Sequence, residues 1–158
     1  VTIRELPDAK TLSSFTTKIE FRNVSFSYED TTILDNINLT IEKGKTVAFV
    51  GSSGAGKSTL ADLVPRFHDV TQGELLIDGI NIKEYNLDYL RHHMGIVTKE
   101  PVLLNDSIET NIALGDEAAN IAEIEDAARV ANAHDFIMQK EEGYQTNIGD
   151  RGNKLSGG

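Results

Sequence analysis

Apolar and polar residues alternate along two stretches in the first third of the chain, at 19–26 and 37–41. A period of two is typical of strands that are buried on one face only. The polar residues 29–32 between the stretches indicate a turn, so this region predicts a small antiparallel sheet. The alternating apolar positions are Ile19, Phe21, Val24, Phe26, Ile37, Leu39 and Ile41.

A different pattern surrounds the glycine-rich segment 51–58. The preceding residues 46–50 form a continuous apolar run, which predicts a strand buried on both faces. The residues that follow carry apolar side chains at helical spacing, and Pro65 together with the polar residues beyond Phe67 ends the predicted helix. Those helical positions are Leu60, Leu63, Val64 and Phe67. The order strand, glycine-rich loop and helix predicts an α/β fold.

The second half of the chain predicts mainly helices. Short apolar runs at 75–77 and 95–97 indicate two more strands, and Asn86 is placed to cap a short helix that ends near Gly95. Asn120 and Glu123 form a capping-box pattern at the start of another helix. The apolar face of that helix comprises Ile121, Ile124, Ala128 and Ala131. Residues 1–17 show no clear period and are interpreted as a linker, and 143–158 as loop.

Composition and charge limit the possible functions. The chain has 158 residues, no cysteine and a formal net charge of −10. An acidic chain without a basic stripe is not expected to bind nucleic acid or an anionic lipid surface directly. No apolar run approaches the roughly 20 residues that a membrane-spanning helix needs, so we expect the chain itself to be soluble.

The glycine-rich segment 51–58 fits G-x-x-x-x-G-K-[ST], the Walker A motif. Its glycines allow the backbone to curl around phosphate oxygens, and the helix that follows contributes unpaired N–H groups. Lys57 is placed to reach the β- and γ-phosphates, and the Ser58 hydroxyl to ligate Mg²⁺. Thr59 is expected to add a phosphate contact. A glycine-rich turn that carries Lys-Ser by chance has a probability of roughly one in a hundred or less in such a chain.

Two further segments indicate which family of Walker A proteins the chain resembles. Residues 24–28 (Val-Ser-Phe-Ser-Tyr) resemble the strand and aromatic loop that ABC ATPases place against adenine, and 155–158 (Leu-Ser-Gly-Gly) are similar to the ABC signature. The signature follows the Walker A motif by about a hundred residues, as in that family. The chain therefore resembles the ATP-binding domain of an ABC transporter, with a P-loop NTPase fold that combines an antiparallel β-subdomain, part of a parallel core sheet and a helical subdomain.

The resemblance implies a set of nucleotide contacts. Tyr28 would stack on adenine, and Ile33 would supply an apolar contact beside the nucleotide. The phosphate contacts would come from Gly51, Ser53, Gly54, Ala55, Gly56, Lys57, Ser58 and Thr59, with Ser58 as the Mg²⁺ ligand. In a head-to-tail dimer with a second such domain, Ser156, Gly157 and Gly158 would contact the nucleotide held by the partner.

Other segments resemble exporter-type ABC proteins. These are 2–7, 71–79, 106–112 and the loop 146–152, which in exporters contacts the membrane domains. On this basis 1–17 is expected to be the linker that follows a membrane domain, and 18–158 the N-terminal part of the ATP-binding domain. The chain starts at Val1 and ends within the signature, so we expect it to be part of a longer protein.

Two departures from the family qualify the resemblance. Lys99 occupies the position of the usual Q-loop glutamine, and a protonated lysine has no acceptor to offer Mg²⁺ or water. Its ammonium either approaches the γ-phosphate, or it points into solvent or pairs with Glu100 and contributes little. The family's Walker B strand, catalytic glutamate and switch histidine lie beyond the signature. No catalytic residue is therefore assigned here, and the chain by itself is expected to be inactive.

The implied function of the parent protein is export driven by ATP binding and hydrolysis, at the cytoplasmic face of the cell membrane. The expected partners are the membrane domains and a second ATP-binding domain, and the expected cofactors are ATP and Mg²⁺. Two alternatives stay open at this point. One is a nucleotide-binding module that does not hydrolyse ATP, and the other is a soluble ABC ATPase without a transport role.

Overall fold

The computed structural model describes residues 3–98, 102–116 and 118–149. The chain forms two compact units, one extending to Ile96 and the other beginning at Val97. Each unit has a hydrophobic core of its own. Within the described ranges, no helix is both long and apolar enough to cross a lipid bilayer.

A four-stranded antiparallel sheet forms the centre of the first unit. Strands β1 (Lys18–Tyr28) and β2 (Thr31–Glu42) are joined by a two-residue turn, and β3 (Gln72–Ile77) and β4 (Ile80–Asn81) complete the strand order β2-β1-β3-β4. The alternating apolar residues of β1 and β2 face the core, as their period of two predicts. The antiparallel sheet expected from the sequence is confirmed.

The pairing of β1 is interrupted at Asn23, which has a positive φ of 50°. Gly73 of β3 lies directly opposite this irregularity. A Cβ at Gly73 would come within 2.2 Å of the Asn23 carbonyl oxygen, so the two backbones approach more closely than any side chain permits. Glycine is required here by contact as well as by its own φ of 75°.

Two short helices, α1 (Lys57–Leu63) and α2 (Leu87–His92), complete the first unit. Leu60 and Leu63 pack into the core, as the helical spacing predicts. The helix ends sooner than that spacing suggests, since Phe67 lies outside it and is partly exposed. Asn86 accepts hydrogen bonds from the backbone N–H groups of Asp88 and Tyr89, which confirms the predicted cap of α2.

The segment interpreted as a linker contacts the rest of the first unit at several separate points. Leu12 is only 4% exposed and belongs to the core of the first unit. The carboxylate of Asp78, just after β3, accepts the backbone N–H groups of Thr16, Thr17 and Lys18 at 2.6–3.1 Å. Burial raises the pKa of Asp78, but these hydrogen bonds and one from the Thr17 hydroxyl outweigh it and hold that pKa well below its ordinary value.

The second unit is helical. Helices α3 (Ile108–Ile112), α4 (Ile121–Val130) and α5 (His134–Met138) surround a small core, and short 3₁₀ turns lie at Ala113–Gly115 and Gly143–Gln145. The Asn120 side chain accepts a hydrogen bond from the backbone N–H of Glu123, and the Glu123 carboxylate accepts one from the backbone N–H of Asn120. This reciprocal pair confirms the predicted capping box. The core residues are Ile108, Ile124, Ala128, Ile137, Tyr144 and Ile148.

The expectation of a strand buried on both faces at 46–50, and of a further strand at 95–97, is wrong for this structure. Neither segment forms a strand, and Val50 and Val97 are 91% and 99% exposed. A strand exists only where a neighbour accepts and donates its backbone hydrogen bonds. Within the described residues the only sheet is the antiparallel one, so no strand pairs with either segment and their side chains are uncovered.

Candidate phosphate-binding site

The glycine-rich loop curls immediately before α1. Gly54 and Gly56 have φ values of 80° and 81°, in the left-handed region that glycine occupies without strain. Gly56 is the residue at which the chain enters the helix, and its carbonyl accepts the first helical hydrogen bond, from Leu60 N at 2.8 Å. The N–H groups of the first helical turn have no carbonyl partner inside the helix, so they are available to an anion.

Lys57 folds back over the loop that precedes it. Its Nζ donates hydrogen bonds to the carbonyl oxygens of Gly51 at 2.9 Å and Ser52 at 2.6 Å. These contacts hold the ammonium group at the mouth of the loop. Among the residues that line the cavity described next, Lys57 supplies the only positive charge.

A cavity of about 350 Å³ lies against the loop and the start of α1. It brings together eight of the residues singled out from the sequence, including Ile33 from β2, which is distant along the chain. The lining residues are Ile33, Ser53, Gly54, Ala55, Gly56, Lys57, Ser58 and Thr59. Gly51 is not in the lining and contributes instead through its carbonyl contact with Lys57.

This lining is chemically suited to a polyphosphate. It combines one ammonium group, hydroxyls from Ser53, Ser58 and Thr59, and no carboxylate. An anion with many acceptor oxygens matches that donor set, and the carbon atoms of Ile33 and Ala55 offer a small apolar surface beside it. Ser58 is exposed, so its hydroxyl is free to face a hard cation such as Mg²⁺, which prefers oxygen ligands.

Tyr28 lies at the end of β1 in a cluster of three rings rather than in the cavity lining. Its ring is edge-on to Phe26 at 4.8 Å and edge-on to His68 at 5.2 Å between ring centroids. Tyr28 is 42% exposed, so part of its surface remains open to a planar ligand. His68 could not be singled out from the sequence, because a single histidine after a helix has no distinctive spacing.

Several residues named from the sequence lie outside the described residues. They are the expected Q-loop substitution Lys99 with its neighbour Glu100, the end of the 146–152 loop, and the signature residues Ser156, Gly157 and Gly158. Their assignments stay predictions that rest on sequence alone.

Comparison with known families identifies the type of domain that carries this site. The family model described as "ABC transporter" matches residues 34–158. This range contains the whole glycine-rich loop, α1 and every part of the second unit.

Relatives and a solved structure extend the match to nearly the whole chain. The chain is 54% identical over 151 residues to an ATP-dependent lipid A-core flippase of Syntrophus aciditrophicus, covering 96% of this chain and 25% of the relative. It is 53% identical over 143 residues to a multidrug export ATP-binding/permease protein, so named, of Staphylococcus aureus. That match covers 89% of this chain and 25% of the relative. The chain thus spans about a quarter of the length of these curated relatives.

The fold is also found in an experimental structure. A bacterial Atm1-family ABC exporter with ATP bound superposes with a TM-score of 0.91 at 42% sequence identity. The match covers 99% of this chain and 28% of that exporter chain.

Proposed function

The chain belongs to the ABC transporter family and has the fold of its ATP-binding domain, and on this basis we propose that it powers a membrane exporter. The observation that carries the proposal is the cavity at the start of α1. In it Lys57, three hydroxyls and a left-handed glycine loop converge on one volume, together with Ile33 from another element. ATP is the ligand that this family's domain binds.

The residues have separate roles in the proposed site. Lys57 neutralises charge on the β- and γ-phosphates, and the loop backbone together with Ser53, Ala55 and Thr59 positions them. Catalysis of phosphoryl transfer consists mostly of such positioning and charge stabilisation. Ser58 would hold Mg²⁺, which neutralises phosphate charge when bound. Tyr28 would stack on adenine through the open part of its ring surface.

The proposed partners follow from the family. We expect a second ATP-binding domain to place its signature, the counterpart of Ser156, Gly157 and Gly158, against the phosphates held here. The membrane domains of the exporter are the other expected partner, which would locate this domain at the cytoplasmic face of a membrane. The transported compound is chosen by those membrane domains.

The two alternative functions are not favoured. The names of the relatives, a lipid A-core flippase and a multidrug export protein, support an exporter rather than a soluble ATPase without a transport role. They equally support an ATPase rather than a module that only binds nucleotide. Lys99 is the sequence feature that pointed to a module that only binds nucleotide.

The proposal is tested by ATP turnover of the full-length protein in lipid vesicles, with and without Mg²⁺. We expect Ser58→Ala to reduce Mg²⁺-dependent turnover at least tenfold, because a cation ligand is lost. Ser14→Ala is the matched control, since Ser14 is an exposed serine of the N-terminal segment. Turnover that is equal in the wild type and Ser58→Ala would contradict the assignment of Ser58. A wild-type protein without Mg²⁺-dependent turnover would contradict the proposed function.

A further inference from the structure

We propose that His68 is a positioning residue for nucleotide binding, which holds the Tyr28 ring in the orientation that stacks on the base. The proposal rests on the proposed function above, since it concerns the adenine end of the same site. It deepens that function by naming a second residue on which recognition of the base, but not of the phosphates, depends.

The geometry of the three-ring cluster is the first argument. Both neighbours stand nearly perpendicular to the Tyr28 ring, Phe26 at 89° and His68 at 87°. Edge-to-face contacts of this kind are favourable beyond the area they bury. The hydroxyl of Tyr28 also lies 3.4 Å from Nε2 of His68, a long hydrogen bond that links the far end of the ring to the same residue.

Tyr28 needs such support because of its place in the fold. It is the last residue of β1, next to the two-residue turn that leads to β2, and it is 42% exposed. A side chain in this position has rotamer freedom, and ordering it on binding would reduce affinity. Phe26 lies two residues earlier on the same face of β1, so it restrains the Tyr28 ring only from the side of its own strand. His68 restrains it from a different element.

His68 is itself held by a rigid loop. The guanidinium of Arg66 is only 2% exposed and forms an ion pair with Asp69 at 2.7 Å. His68 lies between these two residues in the sequence, so the ion pair restrains the chain on both sides of it. Arg66 Nη2 also donates to the Arg4 carbonyl at 3.0 Å. From α2, Arg91 donates to the carbonyl oxygens of Pro65 and Arg66, both at 3.0 Å. These contacts tie the loop to the N-terminal segment and to α2.

The position of the loop connects it to the phosphate site. Residues 65–69 follow α1, the helix that begins at Lys57 and lies against the cavity. The element that supplies the phosphate contacts thus continues directly into the loop that supports Tyr28. A single segment of chain then fixes both ends of a bound nucleotide, Lys57 at the phosphates and His68, through Tyr28, at the base.

The test is a double-mutant cycle in the full-length protein, with ATP and inorganic tripolyphosphate as competing ligands against a fluorescent ATP analogue. We expect His68→Ala to weaken ATP binding about two- to tenfold, the range of one aromatic pair. Tripolyphosphate has no base, so its affinity should stay unchanged. His68→Phe keeps an edge for the Tyr28 ring and should restore most of the lost ATP affinity. In a Tyr28→Ala background, His68→Ala should have no further effect.

Each contrary result has a distinct meaning. Equal loss for ATP and tripolyphosphate would show that His68 only stabilises the fold, and would overturn the proposal. So would unchanged ATP affinity in His68→Ala, or additive losses from the two alanine substitutions. Lys57→Ala separates this from failure of the proposed function, because it should weaken the binding of both ligands by about tenfold or more. If it leaves both unchanged, the site itself is misassigned.

Discussion

A Cβ placed on Gly56 would lie 2.8 Å from Cδ2 of Leu34 and 3.2 Å from the carbonyl oxygen of Ile33. The phosphate loop is thus pressed against β2 at the residue where it enters α1. This contact brings Ile33 to the same cavity as Lys57, although the two residues are far apart in sequence. The glycine is required by its neighbours as well as by its φ of 81°.

Gly56→Ala should therefore separate the loop from β2. We expect a loss of about 1–3 kcal/mol in the free energy of unfolding, from overpacking and from a left-handed alanine. Chemical denaturation followed by circular dichroism measures it. Gly95→Ala is the control, since a Cβ at Gly95 meets nothing within 4 Å. Equal free energies of unfolding for the two variants would contradict the close packing of the loop against β2.

Asp78 predicts a dependence of stability on pH. Its pKa is depressed by the hydrogen bonds from Thr16, Thr17 and Lys18, so its contribution is full above the ordinary aspartate pKa near 4 and is lost as the pH falls towards the folded-state value. Asp78→Asn should cost about 1–2 kcal/mol at neutral pH. The difference from wild type should shrink as the pH falls below about 4.

Denaturation curves collected between pH 2 and pH 7 measure this difference. Asp8→Asn is the matched control, because Asp8 is an exposed aspartate in the same N-terminal segment. A stability difference between wild type and Asp78→Asn that does not change with pH would show that the carboxylate charge plays no part in holding residues 16–18.

The parts of this structure that the sequence predicted correctly are local ones. The alternation in β1 and β2, the capping box of Asn120 and Glu123, and the phosphate loop each depend on residues close together in the chain. Each of these features has a local physical cause: the period of the side chains, a hydrogen bond at the helix cap, or the φ angle of a glycine. Such causes can be recognised in the sequence without knowledge of the rest of the fold.

The parts that it predicted wrongly or missed depend on partners remote in sequence. The apolar run 46–50 has the composition of a buried strand, but composition does not reveal whether another strand lies beside it. Leu12 is buried although the residues around it have no period, because hydrogen bonds on either side of it, between Lys10 and Glu84 and between Thr17 and Asp78, tie the segment to the first unit. Arg66 has the sequence character of a surface residue, yet it is buried, and one of its acceptors is the carbonyl of Arg4, far away in the sequence.

Arg66 should be the most sensitive charged residue of the first unit. Lysine lacks the planar fork that reaches Asp69 and the Arg4 carbonyl together, so Arg66→Lys should reduce the free energy of unfolding by about 2–3 kcal/mol. Arg22→Lys provides the control, because the Arg22 side chain is 53% exposed in its ion pair with Glu20, and the change should alter stability by less than about 1 kcal/mol. Similar losses of unfolding free energy in both variants would contradict a special contribution of the buried Arg66 guanidinium to stability.

We expect the loop 51–58 to bind ATP through Lys57, and calorimetric titration of the full-length protein with MgATP measures this binding. Lys57→Ala removes a charge-assisted contact to two phosphates and should weaken binding by about tenfold or more. Lys45→Ala, an exposed lysine just before the apolar run, should bind as tightly as the wild type. Equal ATP affinity in Lys57→Ala and the wild type would contradict the account.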